Sequence, residues 1–154
     1  LAIEKPIENE GAHITERALT KIRDVTQGYA YFLQQWGSHT WRAAQASPID
    51  IDAVDTASVT VIAALDESFF LVRFDRLTPK EKKYLRAMAE LGAGPHRSGD
   101  IAACFNAEVS SLAPTRSSLI AKGMVWSPNH GDTAFTVPMF DSFMKRIMPG
   151  SDWK

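Results

Sequence analysis

The chain has 154 residues, of which 45% are hydrophobic and 23% charged, ordinary proportions for a globular protein of one domain or two small ones. Its net charge of -1 hides a split: residues 1–76 carry 7 Lys and Arg against 11 Asp and Glu, and residues 77–154 carry 10 against 7. The acidic half is unsuited to nucleic acid, and the basic half permits it without demanding it.

A single cysteine, Cys104, excludes an intramolecular disulfide and a cysteine-based zinc site. It falls on the apolar side of a short helical segment, where a buried, inert thiol is expected. No run approaches the roughly 18 apolar residues of a membrane span and no signal-peptide pattern opens the chain, so a cytoplasmic location away from membrane is expected. Residues 1–12 carry Pro6, Gly11 and several acids without a sustained period, and read as a leader. With no initiating Met, the sequence reads as the trimmed C-terminal piece of something longer.

From Thr15, apolar residues at Ala18, Leu19, Ile22 and Val25 mark one face of a helix that Gly28 ends. A second helix is expected over 29–45, dense in aromatics: Tyr29, Tyr31, Phe32, Trp36 and Trp41. Ser47-Pro48-Ile49-Asp50 stops the chain and restarts it, with Asp50 or Asp52 as N-cap. A long third helix should run from Ile51 to near Phe74, burying Val54, Ala57, Val61, Ala64, Leu65, Phe69 and Val72. The composition shifts at 73–77, which sets a module boundary between residues 76 and 77.

Residues 77–137 read as a winged helix-turn-helix. Thr78-Pro79-Lys80-Glu81 is a capping box with proline at the first helical position, and the helix it opens runs to Gly92. A short helix is expected from Ser98 or Gly99 to Phe105. A third starts at Ser110 or Ser111, carries Pro114 in about its first turn, and stops at Lys122-Gly123. Two apolar runs joined by Pro128-Asn129-His130-Gly131 form a β-hairpin wing in which Trp126 faces Phe135. The fold class is therefore mainly α, a helical subdomain over 13–76 followed by a winged-helix domain over 77–154. The terminal helix carries Met139, Phe140, Phe143, Met144 and Ile147 for core packing, with an oligomer contact as the alternative.

Gly28-Tyr29-Ala30-Tyr31-Phe32-Leu33-Gln34 resembles a stretch of the helical lid of AAA-type ATPases of the archaeal-ATPase and STAND-like branch. Residues 65–78 are similar to the lid-to-winged-helix junction of bacterial members, and residues 131–140 resemble their wing and final helix. The resemblance implies a lid for ATP, with Gly28, Tyr29 and Ala30 approaching the nucleotide and Arg23 or Arg42 as the lid's cation. Family members often have proline where this chain has Ala30. A hydrolase also needs a phosphate-cradling G-x-x-x-x-G-K-[ST] loop and an acidic pair at a strand end for magnesium; the sequence holds no such loop and no hydrophobic strand followed by Asp-Asp or Asp-Glu in a βα context. The chain is thus expected to be no enzyme by itself, its ATP bound mainly by a missing N-terminal ATPase core, which is its first partner.

For the winged helix the expected partner is double-stranded DNA or a protein. Candidate DNA contacts are Ser110, Ser111, Thr115, Arg116 and Ser118 on the third helix, Lys122 at its end, Arg97 before the second, and Asn129 and His130 at the wing tip. Arg116 is the single cation inside the third helix, which implies weak or assisted binding, because DNA affinity comes largely from cations. The four histidines, His13, His39, His96 and His130, are too scattered for a metal site. The alternative reading is a free-standing winged-helix transcription regulator with a helical dimerisation arm.

Overall fold

The computed structural model describes residues 2–154. The chain is mainly helical, with a small three-stranded antiparallel sheet. It divides into two compact units, the first ending at Phe69 and the second beginning at Phe70.

In the first unit, Thr15 caps helix α2 (Glu16–Thr26) by accepting from the Ala18 N–H at 3.3 Å, and Ala18, Leu19, Ile22 and Thr26 line its buried face. Gln27 and Gly28 are both left-handed, with φ of 49° and 75°, which ends α2 and turns the chain into α3 (Ala30–Ala43). Phe32, Trp36 and Thr40, spaced four apart, form the buried stripe of α3. It packs on α4 (Ile51–Leu65), whose own stripe is Val54, Ala57, Val61 and Leu65, and the Trp36 indole N–H donates to Ser58 Oγ at 2.9 Å. Asp50 stands at the N-cap of α4, but its carboxylate accepts the Thr15 hydroxyl, so the capping residue also ties the starts of α2 and α4 together.

The segment 1–12, expected as a leader, contains a regular element instead. Helix α1 (Glu4–Asn9) buries Ile7, and Ile3 lies so close to Gly37 of α3 that a Cβ there would meet Ile3 Cγ1 at 3.3 Å. Six residues are too few to display a hydrophobic period, and the docking surface that stabilises them lies some thirty residues away in sequence.

The helix expected from Ile51 to Phe74 covers that span but changes its winding within it. A wide π-type turn, Asp66–Phe70, separates α4 from the short α5 (Leu71–Phe74). The extra residue in that turn shifts the phase of the apolar stripe, so Val72, expected inside, is 44% exposed. Phe69 joins Tyr29, Tyr31 and Phe32, while its neighbour Phe70 joins Phe140 and Phe143. Phe74 also meets Phe143, which is why residues 70–76 belong to the second unit and the division precedes the expected one at 76/77.

In the second unit, α6 (Pro79–Leu91) opens with the complete Thr78–Glu81 capping box and buries six consecutive residues, Tyr84 to Ala89, as a central helix does. Helices α7 (Ser98–Ala103), α8 (Val109–Ala121) and α9 (Phe140–Ile147) surround it, and α9 lays Phe140, Phe143 and Met144 against it. Pro114 lies inside α8 at its sixth residue, deeper than the first turn expected for it, and removes one ladder hydrogen bond. Cys104 comes directly after α7 and is half-buried rather than enclosed; its thiol donates to the Asp100 carbonyl.

The sheet has the order β1-β3-β2, with β1 (His96–Arg97), β2 (Val125–Trp126) and β3 (Asp132–Phe135). Its register pairs Val125 with Phe135 and Trp126 with Ala134, correcting the expected Trp126–Phe135 pair by one residue. A one-residue slip exchanges faces, and here it leaves Trp126 half-exposed while Val125 is buried.

Candidate functional site

The residues proposed to approach a nucleotide converge in part. Gly28 and Arg23 line one small cavity of about 190 Å³ together with Leu19, Ile22 and Leu33. Tyr29 is the N-cap of α3 without a side-chain capping bond, and Ala30 is its exposed first residue. Arg42 lies in the last turn of α3, about 18 Å along the axis from Ala30 at 1.5 Å per residue, so Arg23 and Arg42 do not serve the same spot.

The residues singled out for DNA are all exposed or half-buried, and several of them are bonded within the second unit. Arg116 donates from Nε to Thr133 Oγ1 at 2.7 Å and from Nη2 to the Asp132 carbonyl at 2.8 Å, fastening α8 to β3. Ser118 donates its hydroxyl to Glu81 Oε1 at 2.6 Å. Lys122 donates to Glu81 Oε2 at 2.7 Å and to the Arg76 carbonyl at 3.0 Å. Ser111 bonds back to the Glu108 carbonyl, and Thr115 is half-buried. Ser110, Arg97 and His130 are exposed, and so is Asn129, whose amide donates to Asp132 Oδ2 at 3.3 Å.

Glu81 is the hub that sequence reasoning assigned only half its work. One carboxylate closes the capping box through the Thr78 N–H at 2.7 Å and receives Ser118 and Lys122 as well, all at 3% exposure. Burial pushes its carboxyl up, but the Lys122 ammonium, the Ser118 hydroxyl and the Thr78 N–H outweigh it and hold the pKa at about 2. A second hub is Arg86, 4% exposed. It donates to the Met148 carbonyl at 2.8 Å, to Glu90 at 2.7 Å and to the Gly150 carbonyl at 3.3 Å, and lies 4.9 Å from the centre of the Trp153 ring. Burial also raises the Tyr84 phenol, with Thr133 and Arg116 pulling it the other way.

These hubs are architectural. Among the described residues no group of three or more His, Cys, Asp or Glu is placed to hold a metal ion, and no helix is long and apolar enough to cross a membrane. What the second unit offers outward is an uncharged helix face: every exposed residue of α8 is uncharged, including Val109, Ser110, Ala113, Pro114, Ser117 and Ile120. Trp126 adds a half-exposed indole on β2.

No curated protein matches the sequence. Residues 67–144 match the family model described as a domain of unknown function, DUF8462, and the match takes in most of the π turn, α5 to α8, the sheet and most of α9. Since it spans a little over half of the 154 residues, the chain belongs to the DUF8462 family.

Proposed function

We propose that this chain is the lid and winged-helix region of an AAA-type ATPase, and that its second unit is a winged helix that docks a protein partner rather than reading DNA. The observation that carries the docking reading is the uncharged exposed face of α8, the helix in the recognition position. Duplex affinity depends on cations that displace counterions. The two basic side chains of this region, Arg116 and Lys122, are bonded to Thr133, Asp132, Glu81 and Arg76 of their own unit. A half-apolar, uncharged helix suits the desolvated centre of a protein contact, where charge is depleted.

The winged-helix reading is supported by the order α6, α7, α8 and then the β2–β3 hairpin, with β1 completing the sheet. The lid reading is supported by the Gly28-to-Gln34 resemblance and by the shared cavity of Gly28 and Arg23. In this reading ATP is bound mainly by an upstream core, with Gly28, Tyr29, Ala30 and Arg23 facing it, and the chain hydrolyses nothing alone.

Two measurements test the proposal. Fluorescence anisotropy with a random duplex in ~50 mM salt should show no saturable binding below about 0.1 mM. Salt-dependent binding that weakens in Arg97→Ala or in Ser110→Ala would overturn the docking reading. The complete reading frame should carry a G-x-x-x-x-G-K-[ST] loop upstream, and a frame without one would end the ATPase assignment.

A further inference from the structure

A cleft of about 360 Å³ opens between α1 and α3 in the first unit, at the lower end of the size range of small-molecule sites. Its apolar lining includes Ile3, Leu33 and Trp41, and the Trp41 indole is 42% exposed. Its polar lining is Glu10, Gln34 and Ser38. The Glu10 carboxylate is exposed and has no ion pair among the described residues. Lys5 and Arg42, the cations of α1 and α3, do not line the cleft.

We propose that this cleft binds a small organic cation, a ring-sized apolar body carrying an ammonium group, with the body against Ile3 and Leu33 and the charge between the Glu10 carboxylate and the Trp41 ring. The groups present match that chemistry and no other charge type. An indole face attracts a cation through its quadrupole, a carboxylate attracts it by charge, and the walls take up the apolar remainder. The surrounding unit reinforces the sign, since residues 1–69 hold five Lys and Arg against ten Asp and Glu. An organic anion would meet Glu10 with no compensating cation in the lining. The cleft shares Ile3 and Leu33 with the Gly28–Arg23 cavity, but the proposal does not rest on the ATPase or docking readings, because its charge argument uses Glu10 and Trp41 and neither Gly28, Arg23 nor the second unit.

The test is titration of the full chain with phenethylammonium, 2-phenylethanol and phenylacetate, followed calorimetrically and by amide chemical shifts. Phenethylammonium should bind about tenfold more tightly than phenylacetate, with shifts confined to α1 and α3. Glu10→Gln should remove the preference for the amine while leaving 2-phenylethanol binding unchanged. Ser38→Leu, which fills the cleft from an exposed position, should abolish binding of all three, with circular dichroism confirming the fold. Equal binding of the three probes, no binding of the amine, or shifts centred outside α1 and α3 would overturn the proposal. Tighter binding of acetyl-Phe-Lys-amide than of phenethylammonium would also overturn it, by assigning the cleft to a peptide.

Discussion

At the scale of single residues, Glu81 shows how a local signal conceals a distant one. The Thr78-x-x-Glu81 box is legible in the sequence because both partners lie within one turn, and it forms as the spacing dictates. Ser118 and Lys122 lie 37 and 41 residues further on, and nothing in their neighbourhoods marks them as partners of a buried carboxylate. Hydroxyls and a lysine on a recognition-position helix look like ligand groups until the partner is placed. The folded carboxyl sits at about 2 against an ordinary value of 4.5. A depressed acid stabilises the fold above its unfolded pKa and loses that contribution as pH falls through the folded one. The contribution of about 3 kcal/mol should therefore be complete near pH 6 and decline between about pH 4.5 and 2. Urea unfolding of Glu81→Gln should show lower stability by about 2–3 kcal/mol at pH 7 and a flatter dependence across the acid window. An unchanged acid limb would remove Glu81 as its source.

At the scale of elements, helices were legible wherever a cap, a period and a stop agreed. Thr15, Thr78, Gly28 and Gly92 mark true helix boundaries. The failures share one physical cause: the deciding contact was tertiary. The π turn at Asp66–Phe70 lets Phe69 reach Phe32 and Phe70 reach Phe140, and Ile3, which precedes α1, packs at Gly37. The hairpin register depends on which of two apolar residues the core accepts. The C-terminal segment after α9 likewise depends on a distant residue, because Arg86 gives it most of its anchoring. Met148 and Gly150 supply carbonyls to the guanidinium and Trp153 covers it, with Phe105 against the indole. Arg86→Met keeps the helix and the apolar stem but takes the donor from the Met148 carbonyl and leaves the Gly150 carbonyl only the Trp153 indole N–H, at a cost of about 2–4 kcal/mol. The same variant should red-shift the emission of Trp153 as the tail leaves its seat. Full stability with unshifted emission would mean that the remaining contacts, Phe105 against Trp153 and Lys83 on the Lys154 carbonyl, hold the tail without Arg86.

At the scale of the whole molecule, each unit has an aromatic cluster: Tyr29, Tyr31, Phe32, Trp36 and Phe69 in the first, Phe70, Phe74, Phe135, Phe140 and Phe143 in the second. Each unit thus has its own core, and stability need not be uniform along the chain. Phe32→Ala empties the centre of the first cluster and should cost that unit about 3–5 kcal/mol. Hydrogen exchange would then accelerate in α2, α3 and α4 while α6 and α8 keep their protection. Lowering the pH toward 3 should act on the second unit, loosening α6 and α8 through Glu81 once exchange is corrected for its intrinsic pH dependence. The two perturbations differ in reach: Phe32→Ala should spare α6 and α8, whereas acid should loosen α6 and α8 through Glu81 and also act at the starts of α2 and α4 through Asp50, whose carboxyl the Ile51 N–H and the Thr15 hydroxyl hold below its ordinary value. If Phe32→Ala lowers protection evenly from α2 to α9, the chain unfolds as one cooperative body and the boundary at Phe69–Phe70 has no energetic meaning.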